Sequence, residues 1–274
     1  MFVYKSQGRT VTVDKPAVMG IINLTSDSFY EKSRATALDE VRKMAEKHLN
    51  EGALFIDIGG QSTRPGSQLL SVEDELFKLI PAIEILVKEF PGINISVDTF
   101  YAKVAKESIN AGAFMINDIS AGAFDEDLID TVAELQVPYI LMHMKGTPQT
   151  MTAETNYDDV VKDIYTFLKD KTSQLKQKGI EQIIIDPGFG FAKTIEQNFA
   201  LLKEFELFTT LGYPVLLGIS RKSFIYKTLE TTPENCLNGT TFLHAIGLEK
   251  GAQILRVHDV KPAVESIKLF DAFK

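Results

Sequence analysis

The chain has 274 residues, 45% hydrophobic and 24% charged, so it can bury a large core and is not a disordered polymer. Its 29 Lys+Arg against 37 Asp+Glu give a net charge of −8, which excludes a general basic face for nucleic acid; any anion must meet a local cationic site. The only cysteine, Cys236, excludes an intrachain disulfide, a structural zinc cluster and a CxxC redox pair, and it points to a reducing, cytoplasmic setting.

At the N-terminus, MFVYKSQGRTVTVDKP alternates apolar and polar residues around Gln7-Gly8, which predicts a β-hairpin and not a signal peptide. Short apolar, β-branched runs then follow at Ala17–Asn23, Leu54–Gly59, Asn94–Asp98, Phe114–Asp118, Pro138–His143, Gln182–Asp186, Pro214–Ser220 and Gln253–His258. Between them the apolar spacing changes to three and four, as in Leu38, Val41, Ala45, Leu49 and in Val160, Ile164, Leu168, Leu175, which marks helices with one buried stripe. Gly52, Gly112, Gly179, Gly212 and Gly251 each stand between a helical pattern and the next strand, where a left-handed helix stop is needed. Repeated βα units in this number predict an α/β fold, a (β/α)8 barrel behind an N-terminal hairpin, forming a single domain over residues 1–274. The competing open, doubly wound sheet would have fewer strands, and its GxGxxG phosphate loop is absent. The longest apolar run, Val215–Ile219, is far short of the roughly 20 residues that span a bilayer, so no membrane association is expected.

Such barrels build their sites at the C-terminal ends of the strands, and the polar residues gather there: Asn23, Asp57, Asp98, Asn117, His143, Asp186, Ser220 to Lys222, Arg256 and His258. Asp98, Asn117 and Asp186 suit the edge of a flat nitrogen heterocycle, because a carboxylate pairs with two N–H donors at once. Arg64, Lys222, Arg256 and His258 are read as cations for a phosphate or diphosphate, and Ser223, opening a helix, as a place for a second anion such as a carboxylate. Asp57 is read either as part of that polar set or as a brace for the following loop, His143 as either functional or structural, His48 and His244 as structural or surface residues of helices, and Cys236 as an inert helix residue.

The segments MGIINLTSDSF, GALFIDIGGQSTRPGS, ISVDTFYAKVAKESINAGAFMINDIS, YILMHMKGTPQTM, IIIDPGFGFAKT, GISRKSFI and GAQILRVHDV resemble, in order, the signatures of the dihydropteroate synthase family, over Met19 to Val260. The resemblance implies a transferase of folate synthesis that condenses 6-hydroxymethyl-7,8-dihydropterin diphosphate with 4-aminobenzoate, releasing diphosphate, and that sulfonamides inhibit. It implies that Asp98, Asn117, Met142, Asp186 and Lys222 hold the pterin ring, and that Asn23, Thr63, Arg64, Arg256 and His258 hold the diphosphate. A magnesium ion would be bound with Asn23 as a ligand, and Asp98, Lys222 and Arg256 would serve catalysis. Phe29, Thr63, Pro65, Phe191, Lys222 and Ser223 would shape the aminobenzoate site, and the chain would form a homodimer. It departs from the family pattern at Ser26, at Tyr30, Glu31 and Lys32 of the first loop, and at Gln61, where a glutamate is usual. Two other readings share the ring pocket. A pterin-dependent methyltransferase should lack the STRPG and SRKS segments present here, and a silent pterin-binding protein has no need of Asn23, Arg256 and His258 together.

Overall fold

A computed structural model describes residues 1–24, 34–61 and 69–274. The hairpin is present: β1 (Phe2–Ser6) pairs antiparallel with β2 (Arg9–Val13) across Gln7 and Gly8, both at positive φ as a tight hairpin turn requires. The remaining strands are β3 (Ala17–Asn23), β4 (Phe55–Gly59), β5 (Ile95–Asp98), β6 (Met115–Asp118), β7 (Tyr139–Met142), β8 (Ile183–Asp186), β9 (Leu216–Leu217) and β10 (Ile254–Val257). They form one parallel sheet in the order β8-β7-β6-β5-β4-β3-β10-β9, and a bridge between Ile185 and Val215 joins its two ends into a barrel.

Around the barrel lie α1 (Arg34–Asn50), α2 (Val72–Glu89), α3 (Ala102–Asn110), α4 (Leu128–Leu135), α5 (Val160–Gln177), α6 (Ile195–Lys203), α7 (Glu206–Thr209), α8 (Ser223–Thr228), α9 (Leu237–Glu249) and α10 (Val260–Phe273). Their starts are read from local chemistry. Ser71 caps α2 by accepting from Asp74 N at 3.1 Å, Asp159 caps α5, and Thr194 with Gln197 forms a reciprocal capping box on α6. The five glycine stops all take positive φ, as expected of helix stops.

Because the strands are buried on both faces, they read as continuous apolar runs. The outward side chains pack under the helices, while Met19, Phe55, Met115, Ile140, Ile184, Leu216 and Ile254 fill the barrel. Tyr4 and Val13 of the hairpin join that inner cluster and stopper the N-terminal end of the barrel. Arg9 ties the hairpin down by donating to the carbonyls of Ile93 at 2.8 Å and Gly112 at 2.9 Å. The seventh barrel strand is shorter than the expected Pro214–Ser220: the ladder covers only Leu216–Leu217, and the chain turns away through Arg221 at φ 55°.

Candidate active site at the C-terminal end of the barrel

Two residues beyond the apolar filling, five of the eight barrel strands present a polar residue, while β3, β7 and β9 present Ile21, Met142 and Gly218. Phe55 is followed by Asp57, Ser96 by Asp98, Met115 by Asn117, Ile140 by Met142, Ile184 by Asp186, Leu216 by Gly218 and Ile254 by Arg256. The parallel register sets Asp98 beside Asn117 and Met142 beside Asp186. One layer of the barrel is therefore polar, floored by hydrocarbon.

Arg256 organises it. Its Nε donates to Asp57 at 2.7 Å, and its Nη2 lies 2.6 Å from Asp57 and 2.9 Å from Asp98. Asn117 donates to both oxygens of Asp57 at 3.3 and 3.4 Å. Asp57 is thus the buried counter-ion of Arg256, which favours its reading as part of the polar set over that as a loop brace. An acid in the middle of the apolar strand FIDIG was the available signal. The loop-bracing role belongs to Asp118, whose carboxylate accepts from Ser120 N and Oγ, Gly122 N and Tyr139 OH.

Burial raises Asp98 above the ordinary carboxylate value; the Arg256 charge opposes the rise, and Asp57 and Asp118 add to it. Burial likewise raises Asp186, against the pull of Lys222 and the bond from Gly188 N. Lys222 is lowered by burial to about 8, with Asp186 and Asp98 favouring its charged form. Its Nζ donates to the Phe189 carbonyl and stands 4.5 Å from the centre of the Phe191 ring. Met142 packs with Phe100 and Ile119, with Phe191 against the same cluster. This apolar wall stands beside the polar ring.

His258 lies at the mouth, its Nδ1 3.3 Å from Ser220 Oγ. Enclosure of its ring, then the charges of Arg256 and Arg221, lower its proton affinity below the ordinary imidazole value. Without a bound anion the neutral form of the imidazole is favoured. Asn23 is exposed at the end of β3, and Ser223 opens α8. Phe29, Thr63, Arg64 and Pro65, with Ser26, Tyr30, Glu31 and Lys32, lie outside the described residues. Gln61 is described: its amide donates to Glu75 at 2.8 Å and exchanges bonds with the Leu70 backbone, linking the two sides of the second loop.

One participant, Lys193, was not singled out in the sequence. His143 accepts at Nδ1 from Lys193, which also donates to two loop carbonyls; Lys193 followed a strand by seven residues and gave no periodic signal. His48 and His244 are both buried, the structural one of their two readings, and His48 Nε2 lies 3.1 Å from the Ile21 carbonyl of β3. Cys236 is free and fully buried, but it sits just before α9, not within a helix.

The family described as pterin binding enzyme matches residues 19–258. Dihydropteroate synthase of Bacillus subtilis is 42% identical over 261 residues, covering 94% of this chain and 89% of its own. The enzyme of Escherichia coli K12 is 39% identical over 269 residues, covering 97% and 95%. Among solved structures, Yersinia pestis dihydropteroate synthase with a sulfonamide drug complex superposes with a TM-score of 0.92 at 37% identity, covering 99% of each chain. The Xanthomonas albilineans enzyme with 4-aminobenzoic acid gives 0.90 at 39% identity, covering 99% of this chain and 97% of that one. The polar ring described above occupies the end of a barrel shared along the whole chain with these enzymes, and the chain belongs to the pterin-binding enzymes of the dihydropteroate synthase family.

Proposed function

We propose that this chain transfers the pterinylmethyl group of 6-hydroxymethyl-7,8-dihydropterin diphosphate to 4-aminobenzoate, releasing diphosphate and giving 7,8-dihydropteroate. The observation that carries the reading is the ring of Asp98, Asn117 and Asp186 facing Lys222 and Arg256 above an apolar floor. The acids and the amide match the N–H edge of a pterin, and Met142 packs on its face. In its ionised form, which the Arg256 charge favours against burial, Asp98 stabilises positive charge on the ring as the carbon–oxygen bond to diphosphate breaks. The neutral arylamine then attacks, so the departure is SN1-like and needs no protein nucleophile. Arg256 uses Nε and Nη2 on the two carboxylates, which leaves Nη1 to face the diphosphate. His258 donates from a neutral ring at the mouth, and a bound anion would draw a proton onto it. Phe191 lies against the Lys222 ammonium and Ser223 follows Lys222 at the start of α8, and the aminobenzoate would lie beside them.

Among the described residues no group of three or more His, Cys, Asp or Glu could hold a metal ion. Asn23 offers a single hard oxygen at the mouth, which fits a magnesium ion that keeps its waters and is held chiefly by substrate phosphates. Bound there, magnesium would neutralise charge on the leaving diphosphate.

Among the described residues no helix is long and apolar enough to cross a membrane. A cytoplasmic location is proposed with the reducing setting inferred from Cys236, and cell fractionation checks it. A homodimer through outer helices is also proposed: α9 and α10 pack together and expose Phe242, Leu269 and Phe273. Sedimentation at a twofold larger mass is the expected result.

The assay combines pterin diphosphate, 4-aminobenzoate and magnesium and follows dihydropteroate and diphosphate in equal amounts. No product from folded protein overturns the reading. A sulfonamide should inhibit competitively against 4-aminobenzoate and bind the free enzyme poorly, tightening when pterin diphosphate or diphosphate with magnesium is present. Tight sulfonamide binding to the free protein in calorimetry contradicts this order.

A further inference from the structure

The stretch between β8 and α6, residues 187–194, carries two groups of the site: the Phe189 carbonyl that accepts from Lys222 and the Phe191 ring beside it. Its backbone is costly to hold. Gly188 and Gly190 take φ of 73° and 77°, and Ala192, which has a side chain, takes 50°, a conformation that costs a non-glycine residue about 1 kcal/mol. Gly188 is also pressed against the chain leaving β7: a Cβ there would lie 2.0 Å from the His143 carbonyl oxygen.

At this crossing one side chain holds the segments together. Lys193 Nζ lies 2.7 Å from the Gly188 carbonyl, 2.8 Å from the Phe191 carbonyl and 3.2 Å from His143 Nδ1. Three acceptors match the three N–H groups of an ammonium, with the His143 carbonyl at 3.5 Å on the edge of the set. Burial lowers the proton affinity of Lys193 and the Asp186 charge opposes this; as the ammonium, Lys193 donates to His143 Nδ1, which leaves the imidazole proton on Nε2. Burial and the Lys193 and Lys145 charges hold His143 in that neutral form. The Phe167 ring packs edge-on against the imidazole at 4.9 Å. The bonded carbonyls, Gly188 and Phe191, bracket the carbonyl that holds Lys222, and Gly188 N donates to Asp186 Oδ1 at 2.7 Å.

We propose that Lys193 is a positioning residue for the transfer reaction: bolted to His143, it fixes the loop whose Phe189 carbonyl and Phe191 ring aim the Lys222 ammonium into the pterin pocket. The inference rests on the reading of that pocket as a pterin site. Lys193 touches no reacting atom, so its effect must pass through Lys222.

A double-mutant cycle tests this, with binding of 6-hydroxymethyl-7,8-dihydropterin diphosphate measured by calorimetry and turnover in the synthase assay. Lys193→Met should weaken pterin diphosphate binding about tenfold or more in the native background and less than about twofold in Lys222→Met. Lys193→Gln, which keeps two donors for the Gly188 and Phe191 carbonyls, should recover part of the loss. If Lys193→Met does not fold, Lys193→Gln runs the same cycle, with a smaller loss that must still be larger in the native background than in Lys222→Met. Equal losses in both backgrounds, or unchanged affinity in Lys193→Met, overturn the proposal. Absence of dihydropteroate from the unmodified protein would instead sink the pterin reading, so the two failures are distinguishable.

Discussion

At the scale of single residues, the site is governed by two acids sharing one buried guanidinium. Arg256 lies within 2.6 Å of Asp57 and 2.9 Å of Asp98, and its loss would leave two carboxylates in a low-dielectric layer. Asp98 must be ionised to stabilise a cationic ring, so kcat should rise with pH as Asp98 loses its proton. Removing the cation favours the neutral acid, which raises the Asp98 pKa and moves the acid limb to higher pH. Arg256→Met should therefore shift that limb upward, while Arg256→Lys should shift it less; an unmoved limb in Arg256→Met would show that Asp98 does not control it. Asp98→Asn should lower kcat by roughly a hundredfold or more while weakening diphosphate binding little, because the lost charge acts mainly in the transition state. Single-turnover kinetics with separately measured diphosphate binding decide the matter. The positions of Asp98, Asn117, Asp186 and Arg256 were legible because they end strands. The pairing of Arg256 with Asp57 was not, since strand spacing gives the height of a residue in the barrel but not which partner across it a long side chain will reach.

At the scale of elements, α2 shows how a loop is tied to the barrel. Glu75 is buried in its first turn, bonded by Gln61 and Thr99, with Lys78 and Asp98 as neighbouring charges. Burial raises its pKa from 4.5 to about 7. The folded state then holds a proton that the unfolded chain releases near 4.5, so Glu75 contributes stability below that pH and loses it as pH rises through about 7. Glu75→Gln keeps the bond to Gln61 without the charge. Its Tm should exceed that of the unmodified protein at pH 8, by up to about 3 kcal/mol in stability, and match it near pH 5. A Tm difference equal at both pH values would show that the acid is not buried in its neutral form. Helices and strands were readable from periodicity and caps such as Ser71 and Thr194. The ends of β9 were not, because the apolar run VLLGI, Val215–Ile219, extends beyond the Leu216–Leu217 ladder on both sides with no local signal where pairing stops. Lys193 was invisible for a related reason: a lysine after a glycine-rich stretch has the same local sequence whether it meets solvent or three acceptors.

For the whole molecule, the barrel separates its chemistry from its stopper: Asp98 and Arg256 stand at one end, Tyr4 and Val13 at the other. Substitutions in the hairpin should change stability and leave kcat unchanged. Tyr4 is 3% exposed, and its hydroxyl has no hydrogen-bond partner among the described residues. Tyr4→Phe should raise stability by about 1 kcal/mol, and Tyr4→Ala should lower it by about 3–5 kcal/mol. Denaturant titration with a parallel turnover assay checks both; a fall in kcat for folded Tyr4→Phe would contradict the separation. The same stopper imposes an order in time. Phe2, Tyr4, Val11 and Val13 leave the ribosome before any barrel strand, yet the cavity they fill is bounded by Leu216 and Ile254, among the last strands to be made. The hairpin, synthesised ahead of every barrel strand, is therefore seated last, and during translation its apolar face waits uncovered for the strands that will receive it.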